Sequence, residues 1–166
     1  LIDNVLGMVE KQYRKEKIEV VRMLDPNIPD VMMDARQMEQ VVINITNNAV
    51  FAMKESVGNT EHAGVLRKGE LTVGSRFHAY KECVEIFIKD TGVGISKNVL
   101  RKIFDPFFTT RKDGKGTGLG LSISYGIVKM HDGSIEVDSE IGKGTTFRIF
   151  LPLKAKKEQE MCVIKL

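Results

Sequence analysis

The sequence predicts an α/β sandwich in which one mixed, mostly antiparallel sheet is covered on a single face by helices. Helical and strand-like segments are interspersed along the chain, and the strands occur in pairs joined by short turns. Hydrophobic residues make up 42% of the 166 residues, which is enough apolar material for the core of one domain.

The first third of the chain is predicted to form a helix, a strand and a second helix. Four apolar residues recur at helical spacing at the start of the chain: Ile2, Val5, Leu6 and Val9. They predict a first helix that extends to about Tyr13. Ile18 to Leu24 reads as a strand that ends before two prolines. The second helix begins at Asp34, and Gln37 three residues later resembles a capping box. Its broad apolar face ends near Glu55.

The remaining elements are predicted from the alternation of apolar and polar residues and from the glycines and prolines that bound them. Residues 56–69 read as a polar surface loop, and residues 121–130 as a helix before a turn at Gly133. A charged tail follows Pro152. The strands are expected at 70–77, 84–89, 134–138 and 145–151.

Composition excludes several classes of function. The formal net charge is +3 and no face-length basic stripe is visible, so we expect no nucleic-acid binding. Cys83 and Cys162 form neither a disulfide framework nor a metal cluster, which favours a reducing compartment. No apolar stretch reaches membrane-spanning length and no signal peptide is visible. The chain starts at Leu1 within a helical pattern, so we expect a fragment of a longer protein.

Two asparagines define the first motif. Asn44 and Asn48 lie four positions apart, so they share one face of the second predicted helix. They could be polar residues on a solvated face, or their amide oxygens could face a cleft. A neutral oxygen suits Mg²⁺ when phosphates supply the negative charge.

The second motif is Asp90-Thr91-Gly92-Val93-Gly94, directly after a predicted strand. It lacks the third glycine of a dinucleotide fingerprint. A carboxylate at a strand end can accept a hydrogen bond from the amino group of a purine, and glycines let backbone approach the base. Either this function or an ordinary glycine turn fits the motif alone.

The third motif is the glycine-rich run from Gly114 to Leu121 at the start of a predicted helix. Free N–H groups at a helix start can bind phosphate oxygens. Lys115 precedes a glycine, which excludes a Walker loop. Between the second and third motifs, residues 104–113 combine phenylalanines with cations, which suits a lid over a ligand as well as a hydrophobic hairpin tip. Arg111 and Lys112 are the cations that could reach phosphates.

Taken in order, these motifs resemble the ATP-binding domain of sensor histidine kinases, in the fold group shared with gyrase B, the Hsp90 chaperone and MutL. The resemblance covers about Asp34 to Pro152. Asn44 to Ala49 resembles the N box, Asp90 to Gly94 the G1 box, residues 104–108 the F box and residues 116–121 the G2 box. A last glycine box contains Thr145.

The resemblance implies a role for each matched residue, with ATP and Mg²⁺ as cofactors and a glycine-rich ATP lid from about Ser96 to Gly118. Asn48 would hold Mg²⁺, Asn44 would lie at the phosphates, and Asp90 would bind the adenine amino group. Asn44, Arg111 and Lys112 are the expected catalytic residues. The other expected nucleotide-binding residues are Ala52, Gly92, Gly94, Ile95, Phe104, Thr109, Thr110, Gly116, Thr117, Gly118, Leu119, Gly120, Leu121 and Thr145.

Three features bear on the activity within the family. Hydrolysing relatives are implied to carry Glu at position 44, a general base that Asn44 cannot replace. Many members carry Lys three residues after the second asparagine, where this chain has Phe51; Arg111 or Lys112 could substitute. None of the three histidines stands in an acceptor motif of His, an acidic residue and Pro.

The resemblance therefore implies transfer of the ATP γ-phosphoryl to a histidine on a separate dimerisation segment, with a response regulator as the next partner. Residues 1–14 would be the end of that segment or the domain's first helix, residues 15–153 the catalytic domain, and residues 154–166 a charged tail. We expect a cytoplasmic domain without membrane contact of its own, in a parent that could be membrane-anchored. A hydrolysing ATPase, a nucleotide-sensing module and an anti-sigma-directed serine kinase are the alternatives.

Overall fold

The computed structural model describes residues 1–60, 68–111 and 116–153, which contain four α-helices and five strands; the side chains of residues 57–60 are not described. The helices are α1 (Ile2–Lys15), α2 (Ala35–Thr60), α3 (Lys97–Leu100) and α4 (Gly120–Met130). The strands are β1 (Ile18–Leu24), β2 (Gly69–His78), β3 (Cys83–Asp90), β4 (Ser134–Glu140) and β5 (Gly144–Pro152). A short 3-10 turn, Ala79–Lys81, joins β2 to β3.

The five strands form one sheet in the order β1-β2-β3-β5-β4. β1 pairs with β2 in parallel, and every other neighbouring pair is antiparallel. The parallel pair requires a crossover, which α2 provides. The predicted mixed, mostly antiparallel sheet in an α/β sandwich is confirmed.

One face of the sheet carries the core. Alternate residues of the central strands point to the helices because side chains on a strand change face at every position. Ile86 and Ile88 of β3 pair in register with Ile149 and Phe147 of β5. They pack with the apolar sides of α1, α2 and α4, of which the fully buried members include Val5, Leu6, Met38, Val41, Val42, Ile45 and Val128.

Long side chains cover the opposite face of the sheet. The ring of Phe87 lies over Gly74, where an added Cβ would be 2.2 Å from the ring, and the Arg76 guanidinium lies 4.7 Å from the ring centroid. Buried Glu85 contacts His78 at 2.6 Å. The Lys81 ammonium lies 5.5 Å from the ring centroid of half-buried Phe150.

The start of α2 follows the sequence prediction in part. Asp34 Oδ1 accepts hydrogen bonds from the backbone N–H groups of Arg36 and Gln37, which satisfies two of the free donors of the first turn. The reciprocal bond of a capping box is absent among the described contacts. The Asp34 N–H instead donates to His131 Nε2 at 2.9 Å, and His131 is the residue at which α4 ends.

The predicted boundaries are correct for β1 and differ elsewhere. α1 continues to Lys15, two residues beyond the predicted end. α2 continues to Thr60, so residues 56–60 of the predicted loop are helical; residues 61–67 lie outside the described part of the chain. The short helix α3 was not predicted. The charged tail lies beyond the described residues.

α1 packs on β1 and α2 and is joined to α2 by Tyr13. The Tyr13 hydroxyl donates to Thr46 Oγ1 at 3.2 Å and lies 3.1 Å from Asn47 Oδ1. Burial raises the pKa of Tyr13 above its ordinary value. None of the helices in the described ranges is both long and apolar enough to cross a membrane.

Candidate functional site

A cavity of about 480 Å³ opens between α2, the segment after β3 and the start of α4. Most of the residues that the sequence motifs single out line it: Asn44, Asn48, Ala52, Asp90, Gly94, Ile95, Thr109, Thr110, Arg111, Gly116, Thr117, Gly118, Gly120, Leu121 and Thr145. The fold therefore gathers motifs that are far apart in the sequence around one space.

Three expected nucleotide-binding residues do not line this cavity. Gly92 lies below it, where an added Cβ would be 2.7 Å from Ala52. The Phe104 ring packs against Tyr125 with centroids 5.2 Å apart. Leu119 precedes α4 and its N–H donates to Thr117 Oγ1 at 3.4 Å. Lys112, expected to bind phosphate and to take part in catalysis, lies outside the described residues.

The cavity is also lined by residues that are not among the expected nucleotide-binding residues. The apolar residues among them suit a planar base, and all lie within or near the motif segments. They are Val93, Val99, Ile103, Phe108 and Phe147. Asn47, Phe51, Glu55 and Ser96 add polar and aromatic surface. Asn47 stands between the two motif asparagines, which is the one sequence signal that could have found it.

Asp90 ends β3 at the floor of the cavity and is 2% exposed. Its Oδ1 accepts two backbone hydrogen bonds, from Gly92 at 2.8 Å and from Thr145 at 3.3 Å. Burial raises the pKa of Asp90 to about 6, and these two hydrogen bonds oppose the rise. Because both bonds go to Oδ1, the second carboxylate oxygen is left as an acceptor for a ligand.

Glycines allow the backbone around Asp90 to pack closely. Gly94 has φ of +72°, and an added Cβ would lie 2.1 Å from the carbonyl oxygen of Glu140. The Thr145 hydroxyl lies 2.9 Å from Ser139 Oγ, which also accepts the Ile95 N–H at 2.8 Å. Both ends of the Asp90–Gly94 motif are therefore fixed against the β4–β5 hairpin.

Asn44 joins α2 to α4. Its Nδ2 donates to the carbonyl oxygen of Gly120 at 3.2 Å and to Ser124 Oγ at 3.3 Å. Ser124 is fully buried. The amide hydrogens of Asn44 are thus used inside the protein, and the side chain holds the glycine-rich start of α4 against the cavity.

Asn48 lies one turn further along α2 and meets Arg111. The Arg111 Nη2 donates to Asn48 Oδ1 at 3.2 Å, and the guanidinium lies 4.0 Å from the ring centroid of Phe51. Among the described residues, Arg111 has no ion-pair partner. An unneutralised cation beside an amide oxygen favours an anionic ligand in this part of the cavity.

The segment expected to form the lid is fixed at both sides of residues 112–115. The N–H of Phe107 donates to the carbonyl oxygen of Gly118 at 3.0 Å. Gly118 has φ of +67°, and an added Cβ would be 2.3 Å from the carbonyl carbon of Phe107. An added Cβ at Gly116 would lie 2.5 Å from Thr109 Oγ1 and 3.0 Å from Arg111 Cδ. Only glycine at position 118 permits this approach.

Comparisons with known proteins agree on one family. The profile of the family described as "Histidine kinase-, DNA gyrase B-, and HSP90-like ATPase" matches residues 33–155. The sensor kinase CckA of Brucella abortus (strain 2308) is 47% identical over 127 residues, which are 74% of this chain and 13% of that relative. The match thus spans only 13% of the length of that relative.

Solved structures are similar over nearly the whole chain. The catalytic domain of histidine kinase ThkA superposes with a TM-score of 0.75 at 29% identity, covering 92% of this chain and 90% of that one. Histidine kinase ThkA in complex with the response regulator protein TrrA gives a TM-score of 0.71 at 27% identity, covering 94% of this chain and 40% of that one. Because the family profile matches most of the chain, the protein belongs to the histidine kinase-, DNA gyrase B- and HSP90-like ATPase family.

Proposed function

We propose that this chain is the ATP-binding catalytic domain of a two-component sensor histidine kinase. The domain transfers the γ-phosphoryl group of ATP to a histidine on a separate dimerisation segment. ATP as the ligand follows from the family, and the kinase activity is supported by the similarity to a histidine kinase catalytic domain over 92% of the chain. The observation that carries the proposal is the side chain at position 44.

Asn44 lines the cavity at the position where the resemblance implies a general base in the hydrolysing enzymes. An amide cannot take a proton from water at neutral pH, and both hydrogen bonds of its Nδ2 are directed to Gly120 and Ser124. The residue therefore orders the glycine-rich turn and leaves no general base at position 44. Such a site favours delivery of the phosphoryl group to another nucleophile, for which positioning and charge stabilisation suffice.

The cavity residues divide between the two ends of ATP. Asp90 accepts a hydrogen bond from the adenine amino group through its second oxygen, and Ile95 and Thr145 lie beside the base. Thr109, Thr110, Arg111 and the backbone at Gly116 to Leu121 face the phosphates. Lys112, which lies outside the described residues, belongs to this set as an expectation from sequence.

The residues present fit a magnesium ion that is held mainly by phosphates. Asn48 presents one amide oxygen to the cavity, and the described residues contain no cluster of three or more metal-ligating side chains. Mg²⁺ in nucleotide sites commonly takes one or two protein oxygens and completes its shell with phosphate oxygens and water. Asn48 is the proposed protein ligand, and the ion would offset phosphate charge.

The proposal extends to domain limits and partners. α1 buries Ile2, Val5, Leu6 and Tyr13 in the same core as α2, which supports its assignment as the domain's own first helix. A response regulator is the proposed next partner, because a similar kinase has been crystallised with one. Use of ATP favours a cytoplasmic location.

Phosphotransfer in trans tests the proposal. The chain is mixed with γ-labelled ATP and the helical acceptor segment of the parent protein, and acid-labile, base-stable label on that segment is measured. An acceptor with its histidine replaced by Gln is the control. We expect label on the histidine-containing segment alone.

Two other results would overturn the proposal. Steady release of phosphate without an acceptor, lost on Asn44→Ala, would assign the chain to the hydrolysing members of the family. Tight ATP binding with no label on the acceptor would indicate a nucleotide-sensing module.

A further inference from the structure

The contact between Arg111 and Phe51 unites two parts of the cavity wall that are far apart in sequence. Phe51 and Asn48 lie three positions apart on α2 and therefore on one face of the helix. Arg111 comes from the segment expected to form the lid. Its guanidinium lies over the Phe51 ring at 4.0 Å and donates to Asn48 Oδ1 at 3.2 Å.

The guanidinium of Arg111 remains able to bind an anion. Its contact with the Phe51 ring takes up no hydrogen-bond acceptor, and the guanidinium has five N–H donors. The bond to Asn48 is the hydrogen bond that the described residues provide to this side chain. The remaining donors and the full positive charge border a cavity that also contains Thr109, Gly116 and Gly118.

We propose that Phe51 is a positioning residue, whose ring holds Arg111 on α2 as a fixed cation for the outer phosphates of ATP. This inference rests on the proposed function. Phe51 occupies the helix position at which the resemblance implies a Lys in many family members. The aromatic ring supplies no charge, but it fixes a guanidinium from the opposite wall at the same place.

The ring contact explains why the cation does not depend on Asn48 alone. Another group that binds Asn48 Oδ1 would compete with Arg111 for this oxygen. The contact with the Phe51 ring does not involve the oxygen, so Arg111 keeps its place when Asn48 binds another group. Cation–π contacts are worth most when the pair is withdrawn from solvent, as at a partly buried cavity wall.

Calorimetric titration of the chain with ATP and with AMP tests the inference. Phe51→Leu retains an apolar helix former and removes the aromatic face. We expect it to weaken ATP binding about 3- to 30-fold, and to change AMP binding by less than about twofold. Phe51→Tyr retains the face and should bind ATP as the wild type does. Phe150→Leu is the matched control, because it removes a ring beneath Lys81 on the opposite face of the sheet.

A double-mutant cycle separates positioning from packing. Arg111→Gln keeps a donor for Asn48 and removes the charge, so it should also weaken ATP binding selectively. If Phe51 acts through Arg111, Phe51→Leu costs nothing further in that background. Additive losses, or equal losses for ATP and AMP, would overturn the positioning role.

The outcomes distinguish this inference from the function on which it rests. If the wild type binds ATP and Phe51→Leu binds it with the same affinity, the inference is refuted and the proposed function stands. Absence of ATP binding by the wild type would refute both. If Phe51→Leu fails to fold, Phe51→Met takes its place, because Met is also an apolar helix former without an aromatic face.

Discussion

Asp90 is a carboxylate that the fold encloses at the floor of the cavity. Its side chain is 2% exposed, and burial raises its pKa to about 6. The unfolded chain would ionise this group near its ordinary pKa of 3.8. The folded state therefore binds a proton more tightly, and the contribution of Asp90 to stability falls as the pH rises from about 4 through about 6.

Asp90→Asn should separate the effect of the buried charge on stability from the proposed role of Asp90 in binding adenine. Asn replaces the free oxygen with an N–H donor that meets the donor of the adenine amino group, so ATP affinity should fall at least about tenfold. The free energy of unfolding at pH 7.5 should rise by up to about 3 kcal/mol, because the buried charge is gone. Calorimetry and urea denaturation from pH 4 to 8 measure both.

Exposed Asp30→Asn is the control for this substitution. The stability difference between Asp90→Asn and the wild type should shrink as the pH falls to 4. A variant that binds ATP normally would contradict the adenine role of Asp90.

Asn48 offers the amide oxygen proposed for Mg²⁺. Asn48→Ala removes that oxygen and its bond to Arg111. We expect ATP affinity measured with Mg²⁺ to fall about tenfold more than affinity measured with EDTA, because the metal-free complex does not use the oxygen as a ligand. Equal losses in both titrations would indicate that Asn48 serves only to hold Arg111.

At the scale of elements, the backbones of Phe107 and Gly118 contact each other within the segment expected to form the lid. Gly118→Ala places a methyl group 2.3 Å from the carbonyl carbon of Phe107, which backbone movement must relieve. We expect ATP affinity to fall at least about tenfold with the sheet intact by circular dichroism. Gly142→Ala is the matched control: φ is also positive, +79°, but no atom lies within 4 Å. It should cost about 1 kcal/mol of stability and leave ATP affinity unchanged.

The hydroxyl of Tyr13 joins α1 to α2, the helix that carries the three cavity asparagines. Tyr13→Phe keeps the ring in the core and removes the contacts with Thr46 and Asn47. The free energy of unfolding should fall by about 1 kcal/mol. Tyr80→Phe removes a hydroxyl from a fully exposed ring and should have no effect in the same urea titration. Equal midpoints for the two variants would show that the Tyr13 hydroxyl does not stabilise the helix pair.

At the scale of the molecule, predictions from sequence succeeded where a local pattern decides the structure. β1 has the predicted bounds because its strand-like segment ends before two prolines. α2 exceeds its predicted end because a helix, once formed, is extended at little cost through a polar segment without proline. α3 has four residues, which is too few to show a period.

The candidate site was predictable as a set of motifs but not as a set of contacts. Asp90, Asn44 and Asn48 line one cavity, as their motifs indicated. The stacking of Arg111 on Phe51 was not predictable, because the partners of Arg111 on α2 are as far as 63 positions away and the contact depends on the course of the lid segment. The covering of the sheet's second face by Arg76 and Phe87 depends on cross-strand register in the same way.

The sheet contains two hairpins that meet at a seam between β3 and β5, and β1 lies at the edge beside β2. β2 and β3 are connected by a short turn, as are β4 and β5, whereas the seam pairs Asp90 with Thr145, 55 positions apart. Closing a long loop costs more entropy than closing a turn, so we expect the hairpins to form first during refolding. Capture of a fluorescent ATP analogue should then lag behind the recovery of the circular dichroism signal. Simultaneous recovery would show that the seam forms with the first strands. Since the proposed adenine contact lies on this seam, we expect a chain that has folded only in part not to retain nucleotide.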